Sequence, residues 1–286
     1  MPFSLLASTL VLLLAQEPKA PADALARARA LVTKGELPAA VSVLTKAIAD
    51  RPDWREVHLL RASCQERLRK FDSAEADYTQ ALELRDGDAR VHLSRGSIRY
   101  FRGDVKGSIE DFDRVAELSP SSEPHLWQRG ISYYEAGEFE RGRKQFERHR
   151  KVNGNDVENS VWHMLCAARE LGLDEAKKRF LTIEDVGGRF PDSRVPMKEI
   201  YALFAGTGTT EAVLAAAEAL SEEEGPRRRR ALQYAHLYIG LHHEMIGDPE
   251  KALGHLKKAA EDFFVPDYMG EVGRVHVARK EQGSQR

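Results

Sequence analysis

The stretch GSIRYFRGDVKGSIEDFDRVAELSP, residues 96–120, sets Gly96, Gly103 and Gly107 among arginines and carboxylates. Two readings compete: a phosphate-cradling glycine loop with catalytic carboxylates, or one copy of a structural repeat. A phosphate loop needs a strand before it and a Lys-Ser or Lys-Thr pair after it, and neither is here. Its neighbours decide the matter. GELPAAVSVLTKAIADRPD from Gly35, RKFDSAEADYTQALELRDG from Arg69, GDVKGSIEDFDRVAELSPS from Gly103 and GEFERGRKQFERHRKVNGN from Gly137 begin 34 residues apart each time. Leu44, Tyr78, Phe112 and Phe146 recur at one position of this alignment, and Ala47, Ala81 and Val115 three residues later. Apolar residues at steps of three and four share one face of a helix.

Each copy therefore reads as two antiparallel helices. In the third, the first helix is predicted over about Ala89 to Phe101, the turn at Gly103, and the second helix over about Lys106 to Leu118, before Pro120 stops it. Gly96 permits close helix approach, and Phe112 packs against the partner helix. Arg61 with Asp77, and Arg95 with Asp111, share a sixteen-residue spacing from mid-helix to mid-helix. That repetition points to ion pairs that fix helix register within a repeat, since acid–base catalysis needs groups converging on a pocket. His58 and His92, also 34 residues apart, read by default as packed or solvent-facing neutral histidines, with stacking between neighbouring repeats as the alternative.

A 34-residue period over four consecutive copies resembles the tetratricopeptide-repeat (TPR) family. The resemblance implies an all-α fold: a right-handed, TPR-type superhelical solenoid of antiparallel helix pairs, stacked because neither helix buries its apolar stripe alone. The expected organisation is a signal peptide over 1–22, four tandem units over 23–156, a degenerate helical region over 157–232, and a carboxyl-terminal unit with its tail over 233–286. In the degenerate region VWHMLCAARELGLDEAKKRF (161–180) reads as a helix, a turn at Gly172 and a second helix. GGRFPDSRVP is a break, and MKEIYALFAG and TTEAVLAAAEAL are helices, the latter capped by Thr209 or Thr210. SEEEGPRRRR reads as a solvated loop, with Arg227 to Arg230 balanced by Glu222 to Glu224. From Tyr234 to Phe263 a full copy returns.

Composition narrows the function classes. With 286 residues, 42% hydrophobic and 31% charged, the chain can bury a large core. A net charge of −2 gives no pull toward nucleic acid. Cys64 and Cys166 are too few for a disulfide scaffold and lack zinc spacing, so both read as buried free thiols. At the amino end FSLLASTLVLLLA (3–15), followed by Ala20 and Ala22 in A-x-A spacing, has signal-peptide length, though no Lys or Arg precedes it. Export to the periplasm or another extracytoplasmic space is the expectation, and a buried or flexible hydrophobic tail on a cytoplasmic protein the alternative. No cysteine near the cleavage region offers a lipid attachment atom, so no stable lipid anchor is expected.

The ten histidines do not assemble a metal site by spacing. His242 and His243 point in different directions, His236 and His243 lie two turns apart, and HLYIGLHHE lacks the HExxH order. No catalytic set, cofactor or metal is expected. The carboxyl half, from VWHMLCAAREL through YALFAGTGT to YIGLHHEMIGDPEKALGHLKKAAED, resembles the NlpI family of bacterial cell-envelope lipoproteins. That resemblance implies an exported, self-associating, non-enzymatic adaptor, and departs from the family in lacking the lipidation cysteine.

In TPR domains the first helix of each pair lines a concave groove. The matching positions are Leu59, Ser63, Glu66 and Arg67 in the second copy, and Leu93, Ser97, Tyr100 and Phe101 in the third. In the fourth they are Trp127, Ile131, Tyr134 and Glu135, and in the last Tyr234, Leu237, Leu241, Glu244 and Met245. The aromatics Tyr100, Phe101, Trp127 and Tyr134 are read as anchors for a partner protein segment, with Arg67, Glu66 and Glu135 orienting it at the edges. Three readings remain open for that surface: a partner segment, occupation by the chain's own later helices or a homodimer partner, and a small-molecule pocket.

Overall fold

The computed structural model describes residues 21–184 and 190–284; the segment read as a signal peptide lies outside them up to residue 20. Every regular element among the described residues is helical. Four pairs come first: α1 (Pro21–Thr33) with α2 (Leu37–Asp50), α3 (Arg55–Arg67) with α4 (Phe71–Leu84), α5 (Ala89–Phe101) with α6 (Val105–Leu118), and α7 (Trp127–Ala136) with α8 (Phe139–Arg150). Then follow α9 (Val157–Leu171), α10 (Leu173–Lys178), α11 (Met197–Phe204), α12 (Thr210–Glu218), α13 (Gly225–Met245), α14 (Pro249–Ala260) and α15 (Tyr268–Ser284). Each helix packs on its partner and on the next pair, so the core runs along the array rather than around one centre.

The period is enforced at the turns and at the small positions. Gly35, Gly103, Gly137 and Gly247 all stand at φ near +80° between the helices of a pair, a region that costs a residue without Cβ nothing. Arg69 occupies the equivalent turn of the second copy at φ 59°, an uncommon conformation for a side-chain-bearing residue. At the close helix approaches, a Cβ on Gly130 would lie 2.6 Å from Phe146, and one on Gly240 2.7 Å from Leu256. The recurring small residue therefore faces the recurring large one.

The ion pairs form as their spacing predicts. Asp77 accepts from Arg61 Nε and Nη2, both at 2.7 Å, and Asp111 from Arg95 at 2.9 and 2.8 Å. His58 and His92 do not stack between repeats. Each reaches the same aspartate within its own repeat, His58 Nδ1 to Asp77 at 3.0 Å and His92 Nδ1 to Asp111 at 2.8 Å, because an anion buried this deeply draws in every donor within reach. The fourth copy replaces the aspartate with Gln145, whose Nε2 donates to the Glu123 carbonyl, and Arg129 turns instead to Asp113. Arg95→Ala should cost about 0.5–2 kcal/mol, and a double-mutant cycle with Asp111→Ala in urea unfolding should show about 0.5–3 kcal/mol of coupling. Additive losses would mean the pair does not act as a unit.

Between α10 and α11 the described residues form no helix, and Pro191 and Pro196 stand there. Thr209 caps α12, its Oγ1 accepting from the Ala212 amide at 3.2 Å. Two expectations need correction. Arg227 to Arg230 are not in a loop: Pro226, tolerated in a first helical turn, lets α13 start at Gly225. Arg229 then donates to the carbonyls of Asp262 and Phe264, and Arg230 pairs with Asp267. The tail is likewise no tail, because residues 268–284 form α15.

Candidate functional site

α15 packs on α14 and returns across α5, α7 and α13, the first helices of their pairs. Its first residue, Tyr268, enters the aromatic groove: its ring stacks on Tyr100 at 5.6 Å and 13°, and meets Phe101 at 5.1 Å and Trp127 at 4.8 Å edge-on. One turn on, Glu271 is buried and pairs with Arg69, whose guanidinium also lies over the rings of Phe71 and Phe264. The non-glycine residue at the strained turn is thus the one that reaches α15.

Further along α15, His276 is buried between two carboxylates. Nδ1 lies 2.7 Å from Glu135 of α7, and Nε2 lies 2.7 Å from Glu244 of α13. Lys280 reaches Glu244, and Arg279 donates to the Glu135 carbonyl at 2.9 Å. Burial opposes charging His276, but Glu135 and Glu244 outweigh it and hold the imidazolium up to about 9. Glu244, likewise buried, is pulled down to about 2 by His276 and Lys280. Val272, Val275 and Val277 add apolar area to the core below.

The residues expected to anchor a partner are therefore mostly unavailable to one in this arrangement. Tyr100, Ile131, Tyr134, Tyr234 and Leu237 are buried, and Trp127 and Phe101 are half-buried against Tyr268. Tyr134 is enclosed by Trp162, Phe139 and His276. Glu135 pairs with His276, so the segment it meets here is the chain's own α15. Leu59 is half-buried on the Ala62–Tyr78–Ile98 cluster, Glu66 accepts from Tyr78 Oη at 2.8 Å, and Arg67 stays exposed. The reason for the correction is plain: an aromatic groove left open would expose a large apolar surface, and the nearest helix able to cover it is attached.

One feature escaped the sequence reading. Histidine His255 bridges the two it judged too far apart: its Nδ1 lies 2.9 Å from His236 Nδ1, and its ring stacks on His243 at 5.8 Å. Among the described residues no three His, Cys, Asp or Glu side chains are arranged to hold a metal ion. Cys64 and Cys166 are free and buried, and burial raises both thiols. No described helix is long and apolar enough to cross a membrane.

Comparisons with known proteins agree with this architecture. Residues 25–74 and 65–123 match the tetratricopeptide-repeat family. The BBSome complex member BBS4 of Bos taurus is 30% identical over 115 residues, 40% of this chain and 22% of that protein. The Protein SGT1 homolog of Homo sapiens is 26% identical over 137 residues, 48% of this chain and 37% of that protein. The chain thus spans well under half the length of these relatives. A solved tetratricopeptide repeat protein from Parabacteroides merdae ATCC 43184 superposes with a TM-score of 0.61 at 18% identity, covering 89% of this chain and 98% of that one. MamA from Desulfovibrio magneticus RS-1, from its residue 41 to the end, gives 0.51 at 12% identity, covering 56% and 90%. At such identities the likeness is one of fold. Residues 25–123 are therefore tetratricopeptide repeats, carried in an all-helical solenoid whose helix-pair packing continues to α14 and whose groove is closed by α15.

Proposed function

We propose that this chain is a non-catalytic protein-interaction scaffold whose groove recognises a helical segment and is held by its own α15 until a partner competes for it. Tetratricopeptide repeats are protein-interaction modules, and the observation that carries the reading is the seat of α15 itself. Tyr268, Glu271, His276 and Arg279 are spaced along one helix and each meets a group on a first helix or a turn of the array. A surface that holds one amphipathic helix through an aromatic anchor and charged pairs can hold another of the same chemistry. The signal-like amino end and the likeness of the carboxyl half to NlpI-type proteins support an exported adaptor of the cell envelope.

Cis occupancy sets a threshold. α15 is tethered through residues 261–267, and a short tether gives an effective concentration on the order of millimolar. A free segment of equal affinity at micromolar concentration would hold only about a thousandth of the grooves. A partner must therefore bind more tightly than α15, or α15 must be loosened. The test uses a labelled peptide of residues 266–284 and the full chain. Wild type should not bind it measurably. A variant with Tyr268→Ala and Glu271→Gln, which weaken the tethered helix but leave the groove intact, should bind it saturably in fluorescence anisotropy. No binding by that variant, with its helical content preserved, would sink the groove-recognition reading.

A further inference from the structure

Beside the seat of α15, between α7, α9, the 191–194 segment and the adjoining parts of α13 and α15, lies a cavity of about 660 Å³, a size usual for a ligand site. Five aromatic side chains, Trp127, Phe146, Trp162, Tyr234 and Tyr268, form walls. Four carboxylates, Asp156, Glu158, Asp192 and Asp267, also line it. Against them stands little positive charge. Arg194 alone serves three, at 2.6 Å from Glu158, 2.7 Å from Asp192 and 3.7 Å from Asp156, while Arg230 takes Asp267 and His149 lies 3.6 Å from Asp156. The surplus is negative, and ring faces add to it.

Three polar atoms on the lining residues are unspent, the Tyr268 hydroxyl and two deeper ones. Trp162 is 1% exposed and Asn159 4%, yet Trp162 Nε1 and Asn159 Oδ1 have no hydrogen-bond partner. Asn159 has already committed its amide nitrogen to the Phe146 carbonyl at 3.2 Å. A buried donor and a buried acceptor left open are costly unless something supplies their complements. A peptide group offers both, a carbonyl for the indole N–H and an amide N–H for Asn159. An anionic ligand would meet the carboxylates, and a purely aliphatic one would leave both polar atoms and the surplus charge unanswered. Arg194 shows the chemistry in cis: its guanidinium sits on these carboxylates and 5.8 Å from the Tyr234 ring.

We propose that this cavity receives a lysine or arginine side chain of a partner protein segment, its basic head among the carboxylates and aromatic faces and its backbone amide at Trp162 and Asn159. The source of the ligand rests on the scaffold reading, but the site does not require α15 to leave. Glu271, His276 and Arg279 are not among its lining residues, so a short basic segment can enter while the helix stays seated.

The experiment titrates capped tripeptides, acetyl-Gly-X-Gly-amide with X as Lys, Arg, norleucine or Glu, and n-butylamine into the full wild-type chain. Trp127 and Trp162, two of the three tryptophans, report through their emission. The Lys and Arg peptides should saturate at least about tenfold more tightly than norleucine, with Glu weaker still. Trp162→Phe keeps an aromatic ring and removes the open donor, and should weaken the Lys peptide about fivefold. Asp267→Asn keeps a side-chain oxygen for the Gly270 amide and should weaken the basic peptides severalfold without changing norleucine. Equal binding of norleucine, or no saturation by any probe, overturns the proposal. Binding of n-butylamine as tight as that of the Lys peptide overturns the protein-segment source. Binding of the 266–284 peptide by the loosened variant is a separate readout, so the groove reading can stand or fall without this one.

Discussion

Tyr134→Ala should remove about 3–5 kcal/mol of stability, and adding Trp127→Ala should deepen the loss further. Tyr134 is 5% exposed, and its ring touches Trp162, Phe139 and His276, so truncation empties a space in the core of the carboxyl half. Trp127 is different in kind. It is half-buried, and its ring contact is with Tyr268, so Trp127→Ala alone should act by loosening α15. Long repeat arrays need not unfold in one step, so the measurement is amide hydrogen exchange resolved by segment, alongside urea unfolding. Trp127→Ala should raise exchange mainly in residues 268–284, and Tyr134→Ala in α7, α9 and α15 together. Unchanged stability in the double variant would mean the rings are solvent-facing anchors after all, and that the packing described for α15 is not the resting state.

The contrast between these two residues marks how far local sequence carries. The helix pairs around Gly35, Arg69, Gly103 and Gly137 were legible because their determinants are local and repeated: a glycine turn, a small residue facing a large one, an arginine sixteen residues before its aspartate. The groove positions were legible too, since the same period places them on first helices. What covers the groove was not. α15 presents only scattered apolar residues, and its buried Glu271 and His276 read locally as a solvated face. Their partners Arg69 and Glu135 stand 202 and 141 residues earlier in the chain, and no periodicity links positions so far apart. One sign was there in Arg69, an arginine at a turn where the other copies have glycine. Such a departure from a local rule suggests that the side chain has work elsewhere. The early start of α13 was missed for a different reason: four consecutive arginines look like a loop until Arg229 is seen donating to two carbonyls of the α14–α15 connection.

Stability of the carboxyl-terminal helices should peak near pH 6.5 and fall on both sides, for opposite reasons. His276 is the alkaline limb. Its folded pKa, about 9, lies above the ordinary value of 6.5, so the folded state binds the extra proton and the stabilisation is complete below pH 6.5. It is lost as pH rises from 6.5 through 9, at up to about 1.4 kcal/mol per pH unit. The groups facing His276 are Glu135 from α7, Glu244 from α13 with Arg169 beside it, and Arg279 and Lys280 on its own helix. Glu244 stays ionised throughout this window, because its folded pKa is about 2. The acid limb belongs to α13 and α14. Burial, with His255 adding to it, pushes His236 down to about 4, and burial with His243 does the same to His242. A depressed histidine stabilises the fold above pH 6.5 and loses that contribution as pH falls toward 4, where the unfolded chain binds protons that the folded one refuses. His276→Gln separates the limbs: it should abolish the decline between pH 6.5 and 9 and leave the acid decline in place. Hydrogen exchange in α15 should follow the alkaline limb, rising as His276 loses its proton. A flat profile from pH 6.5 to 9 in wild type would show that the Glu135–His276–Glu244 bridge does not hold α15 in the groove.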